Sequence, residues 1–190
     1  MKLIELTQNR VAVVDDEDFE WLSKWIWTYY RDKEKRTGYA RRRIGTYPYC
    51  RIVSMHTAVL KQHGRWRANV EVDHQNGCGC DNRKSNLRLG TSDQNKRNKK
   101  CYSNNTSKVT GVSWSTRWQK WRAYISPPGV KRPKHLGWFI YKKDAIAARR
   151  QAEIEHFGEY RHNPKDLCPL WKTGQCPDCA KRAKELGLKL

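Results

Sequence analysis

The 190-residue sequence predicts a mixed α+β chain of small modules, with a strand–strand–helix unit near its middle followed by a three-stranded antiparallel sheet packed on one helix. Three observations predict this. The apolar runs are short, rich in β-branched and aromatic residues, and bounded by turn residues. Thr91 and Gln94 form a T-x-x-Q capping box that starts a helix at Ser92, directly after strand-like segments. Ala145, Ala148, Ala152 and Phe157 recur near helical spacing, after three further strand-like runs.

Taken in order, Ile4–Thr7 and Val11–Val14 flank the polar turn Gln8-Asn9-Arg10 and read as a hairpin. Phe19, Leu22, Trp25 and Ile26 share helical spacing and predict a short amphipathic helix over that hairpin. Strand-like aromatic segments follow around Trp27–Tyr30 and Tyr39–Tyr49, and Ser54–Lys61 reads as another short helix. Val70, Val72 and His74 have one parity and Glu71 and Asp73 the other, so a strand end or bulge is needed to bring Asp73 and His74 to one site. A second strand is expected near Leu87–Leu89. The polar, basic stretch from Lys96 to Lys108 has linker composition. Thr110–Trp114, Lys120–Ile125 and His135–Phe139 predict the second sheet, with the Ala-rich helix covering one face. The expected organisation is an N-terminal strand-rich region (1–52), a catalytic unit (53–100), a linker (101–109), a sheet-and-helix module (110–163) and a cysteine-containing tail (164–190).

Lys and Arg number 39 against 19 Asp and Glu, a formal charge of +20 that points to a polyanionic partner, nucleic acid by default. The excess is +6 over residues 56–100 and +8 over 101–163, where the contacts are expected. No apolar run approaches the roughly 20 residues that span a bilayer, and the N-terminus lacks a signal-peptide core. A soluble, intracellular protein without membrane contact is expected, and no obligate protein partner is inferred. Seven irregularly spaced cysteines do not read as a secreted disulfide framework. Reduced thiols or a metal clip fit better.

The most informative stretch runs from Val72-Asp73-His74 through Asp81-Asn82-Arg83-Lys84-Ser85-Asn86-Leu87-Arg88 to Asn95. Phosphodiester hydrolysis asks for a base that activates water and for oxygen ligands that hold a partly hydrated Mg²⁺. His74 suits the first role, because an unperturbed imidazole is largely neutral at physiological pH. Asp73 and Asn95 suit the second, and Asn86 is expected to fix the imidazole by accepting from its Nδ1–H. The alternative, that these residues merely serve turns, explains neither the His nor the combined spacings. His56 reads as a structural helix histidine and stays outside the catalytic set.

Asp73-His74, Asn86 twelve positions after the histidine, Asn95 nine further on, and the "D-N-R-x-S-N-L-R" run together resemble the HNH motif of phage homing endonucleases. The resemblance implies a ββα-metal nuclease unit in which the Asp and last Asn bind Mg²⁺ or another divalent cation, the His is the base and the middle Asn orients it. It also implies double-stranded DNA as substrate and a phage-encoded enzyme acting in the host cytoplasm. Met55-His56 resembles the family's hydrophobic-His helix, with Thr57 where Arg is common.

Gly111-Val112, Lys120-Trp121-Arg122, Leu136-Gly137-Trp138-Phe139, the Ala-rich helix and Phe157-Gly158-Glu159-Tyr160 resemble the Apetala-two/ERF DNA-binding domain over about residues 106–163. That family lays its sheet in the major groove, which implies DNA contacts from Trp114, Arg117, Lys120, Arg122, Arg132 and His135. Thr110, Ser113 and Ser126 replace base-contacting arginines of the plant pattern, and His135 replaces a Trp, so the plant target does not transfer. Trp121 and Trp138 read equally as contacts or as core.

In the tail, Cys168, Cys176 and Cys179 offer one C-x-x-C pair and a flanking thiol, a candidate Zn²⁺ clip with His162 and Cys101 as further ligands. Cys78 and Cys80 read as small loop residues without nearby partners. The expected function is thus a metal-dependent HNH endonuclease of homing type, targeted by an ERF-like module. The rivals are a DNA-binding regulator with an inactive nuclease unit and a zinc-tethered nucleic-acid adaptor without catalysis.

Overall fold

A computed structural model describes residues 1–31, 37–97, 105–162, 167–171, 176, 179 and 184. Cys101 and the first half of the expected linker lie outside the described residues. The chain forms two compact units: Met1–Thr91 together with Asn163–Leu190, and Ser92–His162. The α+β expectation holds, with small antiparallel sheets and four α-helices among the described residues.

The first unit begins with the expected hairpin, β1 (Lys2–Leu6) and β2 (Arg10–Val14), in the register Lys2↔Val14 to Leu6↔Arg10. Gln8 and Asn9 take positive φ values of 64° and 52°, the left-handed geometry that lets a tight turn follow the strand twist. Helix α1 (Asp16–Leu22) carries Asp16, Glu17 and Asp18 in its first turn, where the helix dipole favours negative charge. It stops earlier than the helical spacing suggests. Ser23 caps it, and Trp25 and Ile26 lie beyond, the latter 87% exposed.

Trp27 is fully buried and donates its indole N–H to Leu22 O at 2.9 Å, so the chain turns at the end of α1 around a satisfied aromatic anchor. Strands β3 (Thr28–Tyr30), β4 (Tyr39–Ile44) and β5 (Arg51–Ser54) form a sheet in the order β3-β4-β5, where the sequence had suggested strand only as far as Tyr49. Helix α2 (Met55–Gln62) buries Met55 and, one turn later, Val59 and Leu60. A second hairpin pairs β6 (Glu71–His74) with β7 (Leu87–Gly90), placing Asp73 opposite Arg88 and His74 opposite Leu87. Ile4, Leu6, Ala12, Val14, Leu22, Trp27, Met55, Leu60 and Leu87 share one core, so the N-terminal hairpin and the β6–β7 hairpin are parts of a single packed unit.

The second unit opens with α3 (Ser92–Arg97), which starts at the residue the capping box indicates. Strands β8 (Val112–Ser115), β9 (Lys120–Ile125) and β10 (Lys134–Phe139) form an antiparallel sheet in the order β10-β9-β8. The ladder shifts between His135 and Gly137, a bulge that leaves Leu136 unpaired in the register. Helix α4 (Lys142–Phe157) packs on the sheet, and Ala145 and Ala152 meet Val112, Ala123 and Ile125 in two small clusters. Gly111 (φ +79°) can only be glycine: a Cβ there would lie 2.4 Å from Tyr124 O and 3.0 Å from the Arg149 guanidinium.

Under the sheet, Arg149 donates to Glu153 at 3.0 Å and to Tyr124 O at 2.8 Å, with both charged side chains almost fully buried. Arg150 bonds the other Glu153 oxygen at 2.9 Å. Removing one member strands the other charge, so Glu153→Ala is expected to destabilise the protein by about 3 kcal/mol in chemical denaturation, whereas Arg149→Met with Glu153→Leu together should recover most of that loss.

Candidate functional site

The informative stretch becomes a hairpin whose connection is an ordered loop. β6 ends at His74, the loop spans residues 75–86, and β7 resumes at Leu87. Gly77 N donates to His74 O at 2.7 Å and turns the chain immediately after the histidine. Asp81 is completely buried; Arg83 grips both of its oxygens at 2.8 and 2.7 Å, and Asn76 Nδ2 adds a third bond at 2.7 Å. This bonding holds the Arg83 guanidinium firmly protonated. Loop and N-terminal hairpin are joined by Val13 N to Cys80 O and Asn82 N to Val13 O, both 2.8 Å. Gly79 allows that approach, since a Cβ would lie 2.4 Å from Gly38 O and 2.6 Å from the Tyr39 ring.

His74 is 5% exposed at the end of β6. Its ring meets His56 edge-on at a centroid distance of 5.1 Å and Tyr39 at 5.7 Å, and Tyr39 meets His56 at 5.8 Å. Burial lowers the His74 pKa to about 4, partly offset by the Asn82 side chain. Burial and the His74 charge lower His56 to about 3. Burial, then Asp73 and the neighbouring cysteines, raise the Tyr39 phenol. At neutral pH this corner therefore holds two neutral imidazoles and a neutral phenol, so His74 is in the protonation state that can accept a proton.

Asp73 lies across the hairpin from Arg88, whose Nε and Nη2 donate to Oδ2 at 2.8 and 2.6 Å. The pair is largely buried, with side-chain exposures of 12% and 8%. Arg88 thus orients the carboxylate, a role that the sequence reading did not assign to it. The alternation in Leu87-Arg88-Leu89, once registered against β6, is the signal that points to it.

Asn86 serves the loop: its Oδ1 accepts the Asn76 N–H at 3.0 Å and its Nδ2 donates to Asp81 O at 2.7 Å. The amide beside the His74 imidazole is that of Asn82, fully buried four residues earlier. The expected Asn86 contact with Nδ1–H is not among its bonds, which hold Asn76 N and Asp81 O within the loop. Asn95 lies in α3, which belongs to the second unit.

In the second unit, the β9 register separates the sheet faces. Ala123 and Ile125 are buried against α4, while Arg122 and Lys120 are exposed on the opposite parity. Trp138 and His135 share the Arg122 face: the Arg122 guanidinium is 6.0 Å from the Trp138 ring, and His135 and Trp118 approach that ring at 5.4 and 6.3 Å. Arg117 stands 5.4 Å from Trp118 in the β8–β9 turn, and Arg132 is exposed before β10. Trp114 pairs with Trp121 on the other parity, 5.3 Å apart edge-to-face, which separates it from the Arg122 cluster. The even choice for Trp121 and Trp138 resolves differently for each: Trp121 packs into the helix-side cluster, and Trp138 is 40% exposed.

The tail returns to the first unit. Cys168, Cys176 and Cys179 are buried and meet Cys78, with all four sulfurs within 4.8 Å of one another. The expected tail ligands thus come together, and the reading of Cys78 as a loop residue without partners is corrected. Its partners are about a hundred residues away in sequence, where spacing rules do not reach. Thiol hydrogen bonds within the group push Cys179 and Cys176 down and Cys168 and Cys78 up.

Residues 55–97 match the family model described as HNH endonuclease. No curated protein and no solved structure matches the chain. The match supports a nuclease acting on DNA and covers α2, both strands of the second hairpin, its loop and α3. No helix among the described residues is long and apolar enough to cross a membrane.

In the folded protein burial holds His56 and His74 at about 3 and about 4, below the ordinary imidazole value of 6.5. The unfolded chain therefore binds the extra protons, and stability present above pH 6.5 is lost as pH falls toward 4. In magnesium-free buffer the difference in unfolding free energy between wild type and His56→Gln should shrink over that interval, by up to about 1.4 kcal/mol per pH unit. Parallel pH profiles for the two proteins would contradict a buried neutral His56.

Proposed function

We propose that the chain is a metal-dependent HNH endonuclease of homing type that hydrolyses phosphodiester bonds of double-stranded DNA. The observation that carries this reading is His74, buried and neutral at the end of β6 beside Asp73, inside the matched segment. In this reading His74 accepts a proton from the attacking water, its imidazole being neutral at neutral pH. Asp73 and Asn95, assigned from the sequence motif, supply oxygen ligands of a hard divalent cation such as Mg²⁺. That donor chemistry fits a carboxylate oriented by Arg88. When bound, the cation polarises the scissile phosphate and stabilises its developing charge. Asn82 and Asn86 are positioning residues, one beside the imidazole and the other through the loop.

The second unit selects the duplex in this proposal. Arg122, His135 and Trp138, with Lys120, Arg117 and Arg132 nearby, offer cations and an aromatic surface on the face away from α4. Cations supply phosphate affinity, and an exposed sheet fits the width of the major groove. Trp114, paired with Trp121 on the other parity, stands outside that face, so its expected DNA contact is not part of this proposal.

Wild type should cleave plasmid DNA with Mg²⁺ and not without it. His74→Ala should lose about 10²–10⁴-fold in single-turnover rate while keeping its DNA affinity. Equal rates for the two proteins would remove His74 from the chemistry. DNA binding without cleavage of any member of a genomic library would favour the regulator reading.

Arg122→Ala should weaken DNA binding and, if Arg122 contacts phosphate, reduce the slope of log K against log salt by about one. An unchanged affinity and slope would remove this face from the interface.

A further inference from the structure

We propose that Cys78, Cys168, Cys176 and Cys179 bind one Zn²⁺ ion in a closed tetrathiolate site that fastens the loop following His74 to the C-terminal segment. The four sulfurs lie within 4.8 Å of one another, with Cys78 Sγ and Cys176 Sγ 3.5 Å apart. A tetrahedral zinc with Zn–S bonds near 2.3 Å sets its sulfurs about 3.8 Å apart. A disulfide requires about 2.05 Å between two sulfurs and gives no reason for all four to converge. Cys176 and Cys179 supply the C-x-x-C half, and Cys168 and Cys78 complete it from two other segments.

The surroundings favour a structural ion. The thiols are at most 9% exposed and share an apolar cluster with Val13 and Leu170. The void beside Cys78, Cys168 and Cys176 is about 10 Å³, space for one water at most and none for a substrate. Four sulfur ligands leave no open coordination position, unlike a catalytic zinc. On binding, the four thiols lose their protons to solvent and Zn²⁺ accepts four thiolate electron pairs, leaving a site of net charge −2.

The site has a direct line to the nuclease corner. Cys78 N donates to Asn76 Oδ1 at 2.9 Å, Asp81 N donates to Cys78 O at 3.1 Å, and Asn82 follows beside His74. An ion on Cys78 therefore fixes the loop between its two ends. Zinc content is measured without reference to cleavage, so this proposal and the nuclease reading can fail separately.

The full-length protein, purified under reducing conditions, should carry about one zinc per chain by elemental analysis. Thiol modification with an organomercurial should release it, and Co²⁺ exchange should give the visible spectrum of a tetrathiolate cobalt centre. Cys78→Ser should lose most of the zinc, whereas Cys80→Ser and Cys50→Ser should retain it. Release should also speed amide exchange across residues 76–86. If Cys78→Ser does not fold, the wild-type metal content, cobalt spectrum and exchange rates still decide the matter. Zinc-free protein of unchanged stability that takes up no added zinc, iron at that stoichiometry, a disulfide involving Cys78, or unaltered zinc affinity in Cys78→Ser would each overturn the proposal.

Discussion

The first unit depends on a carboxylate with no access to water. Asp81 is the centre of the 75–86 loop, and a buried unpaired charge there would be prohibitive. The Arg83 fork and the Asn76 amide satisfy it, and the backbone at Asp81 runs in a parallel bridge with Val13. Asn86 holds Asp81 O from the other side of the loop. A connection of this length would ordinarily be a mobile excursion between two strands. Here the Asp81 carboxylate and the Asn76 and Asn86 amides are bonded within the loop, and Val13 and Asp15 bond its backbone, so it is tied to the core beside His74.

That rigidity sets the chemistry of the corner. A surface histidine is half-protonated near pH 6.5, whereas one sealed between Tyr39, His56 and β7 stays neutral well below neutrality. The same seal places Asp73 on the opposite parity of β6, where Arg88 rather than the core receives it. Parity and pairing thus give two adjacent residues different surroundings, one apolar and one ionic. The loop and hairpin separate the proton-accepting group from the charged one without lengthening the chain between them.

Much of this was legible from local pattern. The N-terminal hairpin, the β6–β7 strands, the start of α3 and the whole β8–β9–β10–α4 unit follow from short-range periodicity and turn chemistry. The D-H and D-N-R-x-S-N-L-R runs marked the segment that the HNH family model also covers. What escaped was non-local. Asn82 and Asn86 are chemically identical amides, and only the folded loop assigns one to the imidazole and the other to backbone groups. Arg88 acquires meaning only through its register with Asp73. Trp25 and Ile26 kept helical spacing beyond Ser23, but the burial of Trp27 turned the chain before they could join the helix. Cys78 was unreadable because its partners come from the far end of the sequence.

The return of the tail also orders events during synthesis. Residues 92–162 are an insertion within the first unit, so that unit is discontinuous along the messenger. Cys176 emerges 98 residues after Cys78, an interval of roughly 5–20 s at ordinary rates of elongation. During that interval the β6–β7 loop has Val13, Asn76 and Arg83 among its bonding partners but lacks the tail sulfurs that meet Cys78. The sheet-and-helix unit is therefore delivered in full before the loop beside His74 receives its last partners. A ribosome that stops short of the tail releases a chain that contains residues 92–162 but lacks three of the four clustered thiols.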